Sequence, residues 1–305
     1  MSIRYTPTML TQLAARLTDR DRKLIRLTRD FRVLTSPQVS ELFFDTDDAA
    51  RRRLLALTRM GLLERFRPNL PPSMGTAPYH YVIGETAAAV LASEDGIELS
   101  EYGYRRDRIL SIVYSQRLAH TVGTNGIATS LHAYSRRHPL TELTTWWPEH
   151  RCAKEWAPMA RPDAYARWTE GSHNIEFFLE YDTGTEPLDR VAHKLDGYAR
   201  LTEASRIVTP VLFWVQGERR EANLRKKIKH HPANMFVPVA TGHAGTVNGT
   251  VDDGPAGARW LPTDLDHPRC RLAELTKHWP GLGPQIAPTP ASAEDQEADA
   301  QEDCQ

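Results

Sequence analysis

The chain has 305 residues, 40% of them hydrophobic and 25% charged, with 38 Lys and Arg against 39 Asp and Glu and a net charge of -1. These values fit an ordinary soluble globular protein of two domains, or one large one. Cys152, Cys270 and Cys304 form no CxxC pair, which argues against a disulfide framework or a zinc ribbon and for a reducing cytoplasm.

No apolar run reaches the roughly 20 residues that a bilayer-spanning helix needs, and the N-terminus lacks a signal-peptide pattern, so no membrane partner is expected. The near-neutral total hides an asymmetry. Arg16 to Arg67 is basic, whereas Glu294 to Asp303 is almost purely acidic. Opposed segments of this kind accompany a nucleic-acid-facing domain with a solvating tail.

In chain order, Thr18 and Asp21 open a helix with a capping-box pattern, followed by the stripe Leu24, Leu27, Phe31. Thr35-Ser36-Pro37 opens a second helix, with Ser36 read as N-cap, Pro37 at the first helical position, and Val39, Leu42 and Phe43 as its buried face. The third runs from Thr46. Asp47 and Asp48 complement the helix dipole, Ala50, Leu54 and Leu57 form an apolar face, and Arg52, Ala56 and Arg59 form a second face beside Arg51 and Arg53. Gly61 ends it in the left-handed manner.

Leu62 to Arg67 and Tyr79 to Ile83 read as two strands joined by the Pro-rich loop 68–75. Glu85 to Ala92 reads as a closing helix. Three helices and a basic two-stranded wing are the parts of a winged helix-turn-helix. The expected DNA contacts are Arg51, Arg52, Arg53, Arg59, Arg65 and Arg67, across residues 17–95. A merely solvated arginine face is the competing reading.

After a connector over Gly96 to Arg108, Ile109 to His138 reads as one or two helices. Strands follow at Leu143 to Trp147, Arg161 to Trp168 and Asn174 to Asp182. A helix over Leu188 to Leu201, a strand over Val208 to Val215, a basic helix over Glu221 to Lys229 and a strand over Met235 to Val239 complete an α/β layered domain at 109–240. The segment beyond Gly242 reads as loop with one short helix near Leu272 to Lys277, and 284–305 as a disordered acidic tail.

Chemistry is expected in the second domain. Asp163 follows Arg161-Pro162 at a strand entry. Glu180 and Asp182 alternate on one strand and so share a face. Lys194, between Val191 and Tyr198, lies on the sheet-facing side of the next helix. Clustered carboxylates with a lysine fit metal-assisted phosphodiester hydrolysis, with Asp163, Glu180 and Asp182 as Mg²⁺ ligands. Asp182-Thr183-Gly184 also reads as a turn, with Lys194 pairing Asp182 or Asp163. The stretch resembles the PD-(D/E)xK motif of the restriction-endonuclease-like superfamily on an αβββαβ core. Its departure is Asp182, which stands where that superfamily carries lysine, so that Lys194 substitutes from the helix or the chemistry is lost.

Leu17-Thr18-Asp19-Arg20-Asp21, Arg32-Val33-Leu34-Thr35, Leu42-Phe43-Phe44, Ala50-Arg51-Arg52-Arg53-Leu54, Gly61-Leu62-Leu63-Glu64-Arg65, Phe178-Leu179-Glu180-Tyr181-Asp182 and Lys194-Leu195 together resemble the replication-relaxation family of actinobacterial plasmids and integrative elements. The resemblance covers about residues 17 to 240 and implies DNA binding in replication, relaxation or transfer. The expected partners are double-stranded DNA, a second copy of the chain, and other replication or transfer proteins. A metal-dependent nickase or endonuclease and a transcriptional regulator are the alternatives.

Overall fold

The computed structural model describes residues 6–282, apart from 70–72, 74, 116, 246–252, 264–267, 280 and 281. The expected acidic tail at 284–305, Cys304 within it, and most of the wing loop's tip lie outside the described residues. The protein is a mixed α/β chain with two sheets. It divides into two compact units between Val122 and Gly123, wider than the expected limits 17–95 and 109–240. No described helix is long and apolar enough to cross a membrane.

In the first unit, α1 (Pro7–Ala14) precedes α2 (Asp19–Asp30), where Thr18 and Asp21 close a reciprocal capping box. β1 (Leu34–Thr35) leads into α3 (Ser36–Phe43), whose N-cap is Thr35 rather than Ser36. Gln38 is the reason: its side chain accepts the Thr35 N–H at 2.9 Å, closing the box one residue earlier than Ser36-Pro37 implied. Phe44, just past the helix, is buried, and Phe43 only partly so.

α4 (Asp47–Arg59) buries Ala50, Leu54 and Leu57, at or below 2% exposure. Each leucine contributes roughly 1.5–3 kcal/mol by leaving water. Past Met60, Gly61 takes φ +71° and Leu62 N–H reaches back to Leu57 O at 3.0 Å, the six-to-one closure of a left-handed C-terminus.

β2 (Leu63–Phe66) pairs antiparallel with β3 (His80–Ile83), which also pairs with β1, a strand too short to carry a sequence signal. α5 (Glu85–Asp95) follows. α6 (Arg106–Leu110) and a 3₁₀ turn (Ser111–Tyr114) place Ile109, Leu110 and Ile112 against Val33 and Val82, so the start of the stretch expected to open the second domain belongs to the first core.

The second unit begins within α7 (Leu118–Arg137). β4 (Thr141–Pro148), α8 (Glu149–Trp156), β5 (Ala164–Glu170), β6 (His173–Tyr181), α9 (Leu188–Ser205), β7 (Val211–Val215), α10 (Glu218–Lys229), β8 (Val239–His243), β9 (Leu261–Pro262) and α11 (Leu275–His278) follow. The six strands lie in sequence order, with β4, β5 and β6 antiparallel, β6, β7 and β8 parallel, and β9 antiparallel at the edge.

Phe178, Phe213 and Val239 on one sheet face pack with Val191, Leu195 and Tyr198 of α9, Leu224 and Ile228 of α10, and Cys152 of α8. The last parallel strand lies at 239–243 instead of 235–239: Met235 and Phe236 are exposed, whereas Thr241 and His243 are buried. Trp260, fully buried beyond this strand, shows that the Gly- and Pro-rich segment past 242 contributes to the core.

Candidate nucleic-acid interface and carboxylate cluster

The arginines of α4 separate by role. Arg52 and Arg59 are exposed on the side away from the Leu54 and Leu57 core. Arg51 pairs with Asp48 at 2.8 Å, both three-quarters exposed, a contact worth little to stability. Arg53 turns inward. Its guanidinium takes both oxygens of Asp21, with Nε at 2.8 Å from Oδ1. Asp21 is fully buried and caps α2 with the same carboxylate, so Arg53 supplies the charge that the burial of Asp21 demands. The expected DNA contact at Arg53 is therefore better described as a structural ion pair.

Arg65 on β2 and Arg67 just past it are exposed, and both guanidiniums lie over the Tyr79 ring, 4.3 and 3.7 Å from its centroid. Just before them in sequence, Glu64 is held bidentately by Arg106, both contacts at 2.8 Å. The acidic residue of the wing thus has its own counter-charge, and the two arginines remain on the surface.

In the second unit, β6 presents acids at Glu176 and Glu180 and, one residue past its end, at Asp182. Each meets a different cation. Glu176 accepts from Arg167 on β5, Nε at 2.8 Å, and from the Tyr165 hydroxyl at 2.6 Å. Glu180, 2% exposed, accepts the Lys194 ammonium at 2.5 Å on Oε2 and the Tyr198 hydroxyl on Oε1. Asp182 is taken by Arg220 from the first turn of α10, with Nη2 at 2.9 Å from Oδ1, and accepts Gly184 N–H at 2.9 Å. Gly184 has φ +87°. The Asp182-Thr183-Gly184 turn reading thus holds, and Asp182 is paired with Arg220 rather than with the Lys194 that Glu180 takes.

Asp163 lies before β5, where its Oδ2 accepts Tyr181 N–H at 2.8 Å and its own N–H donates to Leu179 O at 3.0 Å. This extends the β5–β6 ladder by a side chain and sets the carboxylate beside Glu180. Burial, and then the Glu180 charge, hold the Asp163 carboxyl well above its ordinary range. Burial works against the Lys194 ammonium, but Glu180 and Asp163 outweigh it and raise its pKa.

Asp163, Glu180 and Lys194 therefore come together, and Asp182 does not join them. Among the described residues no group of three His, Cys, Asp or Glu is disposed to hold a metal ion. Tyr198 and Arg220 were not among the expected site residues. Tyr198 reads as part of the α9 apolar stripe, and Arg220 lies 38 positions from Asp182, beyond any local spacing rule.

Asn125 is buried on α7. Trp147 stacks on Trp156 with ring centroids 5.5 Å apart, beneath Arg151, as a packing role requires. Cys152 and Cys270 are free and buried.

No curated protein and no solved structure matches the chain. The sequence model of the replication-relaxation family matches residues 25–212, more than half of the chain, spanning both the α4 arginines and the Asp163, Glu180 and Lys194 group. The chain belongs to the replication-relaxation family.

Proposed function

We propose that the protein binds duplex DNA through its first unit, a winged helix-turn-helix in which α4 is the groove-facing helix and β2–β3 the wing. On this reading it serves replication, relaxation or transfer of a plasmid or integrative element, alone or with a second copy and other replication proteins. The observation that carries the reading is the division of labour on α4. Leu54, Leu57 and Arg53 hold the fold, which leaves Arg52 and Arg59 on the opposite, exposed face, with Arg65 exposed on the wing strand and Arg67 exposed just past it.

Phosphate contacts release condensed counterions, so affinity for duplex should fall steeply with salt. Fluorescence anisotropy of a labelled duplex across a salt series tests this. A steep negative slope supports the reading, and absence of binding at low salt rejects it.

A second reading rests on the Asp163, Glu180 and Lys194 cluster. The order α7, β4, α8, β5, β6, α9, β7, an α-β-β-β-α-β run interrupted by the eight-residue helix α8, supports a restriction-endonuclease-like arrangement, in which the second unit would be a metal-dependent nickase or endonuclease. The donor chemistry fits a hard cation at two positions: Asp163 and Glu180 are adjacent carboxylates, and a cation between them would offset both the burial and the Glu180 charge that raise Asp163. Asp182, committed to Arg220, would not be a ligand. Bound Mg²⁺ would supply water activation and stabilisation of charge on a phosphodiester.

For its part, Lys194 holds the orientation of Glu180 and places a positive charge at the mouth of the cluster, and Tyr198 fixes the other carboxylate oxygen. Nicking of supercoiled plasmid that needs Mg²⁺ or Mn²⁺ and is lost in Glu180→Ala supports this reading. Activity indifferent to that substitution rejects it.

A further inference from the structure

α10 carries cations on three sides, and their uses differ. Lys227 is paired with Asp189 of α9 at 2.7 Å. Arg220 is committed to Asp182. Arg219, Lys226 and Lys229 share neither fate: they are exposed and, with Ala222, recur at i, i+3, i+7 and i+10, one face of a helix. Beside Ala222 this face opens into a cleft of about 320 Å³ lined by Glu218, Glu221, Arg225, Lys226, Lys229 and Arg269.

The two arginines behind the lysines are fixed in place. Arg225 donates to Leu261 O at 2.7 Å and Pro262 O at 2.9 Å. Arg269 donates to Glu221 at 2.5 and 3.1 Å and to Arg259 O at 2.7 Å. Glu221 is itself 1% exposed and also accepts the Thr241 hydroxyl at 2.8 Å, so its charge is spent inside the fold. The outward field of the cleft is then set by the cations, opposed only by the exposed Glu218 among its described lining residues.

We infer that this face of α10, from Arg219 to Lys229, is a second contact surface for a phosphodiester backbone, carried by the second unit itself. It rests on the reading that duplex DNA is the partner. The stripe is long enough: ten residues at 1.5 Å rise span about 15 Å, several phosphates at about 3.4 Å of axis per nucleotide of one strand. Guanidiniums already pinned by backbone carbonyls need no further ordering, and the flexible lysines at the rim adapt to phosphates whose positions vary with sequence. Such contacts position without reading bases.

The experiment compares the full chain with Lys226→Ala/Lys229→Ala and with Lys226→Arg/Lys229→Arg, using a labelled duplex and a salt series. Each lysine lost from a phosphate should flatten the slope of log K against log salt by about 0.9, so the alanine pair should flatten it by about 2 and weaken low-salt affinity several-fold. The arginine pair should retain the wild-type slope. Both side-chain pairs are exposed, and unchanged melting temperatures verify that the fold is intact. If the wild type binds duplex and the alanine pair keeps its full slope, the α10 assignment is wrong and DNA binding stands. If the wild type does not bind duplex at all, the DNA reading and this inference fall together.

Discussion

Lys194 on α9 and Glu180 on β6 meet at 2.5 Å, and the Lys194 ammonium is the cation paired with the buried Glu180 carboxylate. A partner's removal leaves the other charge buried and uncompensated, the costly half of a buried ion pair. Lys194→Met should therefore destabilise the second unit by roughly 2 kcal/mol, a figure discounted because the lysine is about a third exposed. Combining it with Glu180→Gln should recover part of the loss. Denaturant midpoints of the wild type, the two single variants and the double variant measure the coupling. Strictly additive losses would contradict it.

The two units should respond to acid in opposite directions. Burial works to raise Asp21, but hydrogen bonds from Arg53 and Thr18 outweigh it and hold the carboxyl below its ordinary 3.8. Its contribution is present above about pH 4 and is lost as pH falls through the folded value. Asp163 is raised by burial and by Glu180. Its folded form binds the proton more tightly, so stability is present below about pH 4 and is lost as pH rises from there through the raised folded value. Unfolding followed across this range should show Asp21→Asn removing the acid-side loss and Asp163→Asn flattening the decline on the other side. An unaltered pH profile in Asp163→Asn would show that the pair with Glu180 carries no linkage.

Gly197 ties the position of α9 to the segment that delivers Asp163. A Cβ there would stand 2.4 Å from Met159 O, backbone that cannot swing aside. Gly197→Ala should push α9 outward, cost roughly 1–3 kcal/mol as an overpacked contact, and weaken the Lys194 to Glu180 pairing. Calorimetry checks the stability, and a lowered Lys194 pKa by NMR titration checks the displacement. A variant with wild-type melting and an unmoved Lys194 would contradict the argument.

Much of the first unit can be read from local spacing. The Thr18–Asp21 box and the Ala50, Leu54, Leu57 stripe involve neighbours three or four positions apart, where helix geometry dictates contact. What escaped is long-range. Asp21 and Arg53 are 32 positions apart, so nothing in the RRR run distinguishes the inward arginine from the outward ones. Period-2 alternation leads one to expect Glu180 and Asp182 on one strand side, but Asp182 falls one residue past β6, and alternation cannot say that separate cations from α9 and α10 would claim them. The strand at Val239–His243 was read too early because the apolar Met235-Phe236 pair faces solvent and the buried end is Thr241-Gly242-His243.

The account turns on whether the outward face of α4 touches DNA. The direct measurement is duplex affinity of the full chain against Arg52→Ala/Arg59→Ala. A bidentate contact from either arginine to a guanine edge is worth roughly 1–3 kcal/mol. The double variant should bind at least tenfold more weakly at wild-type melting temperature, because neither side chain supports the Leu54 and Leu57 core. Wild-type affinity in a folded Arg52→Ala/Arg59→Ala protein would contradict α4 as the DNA-facing helix.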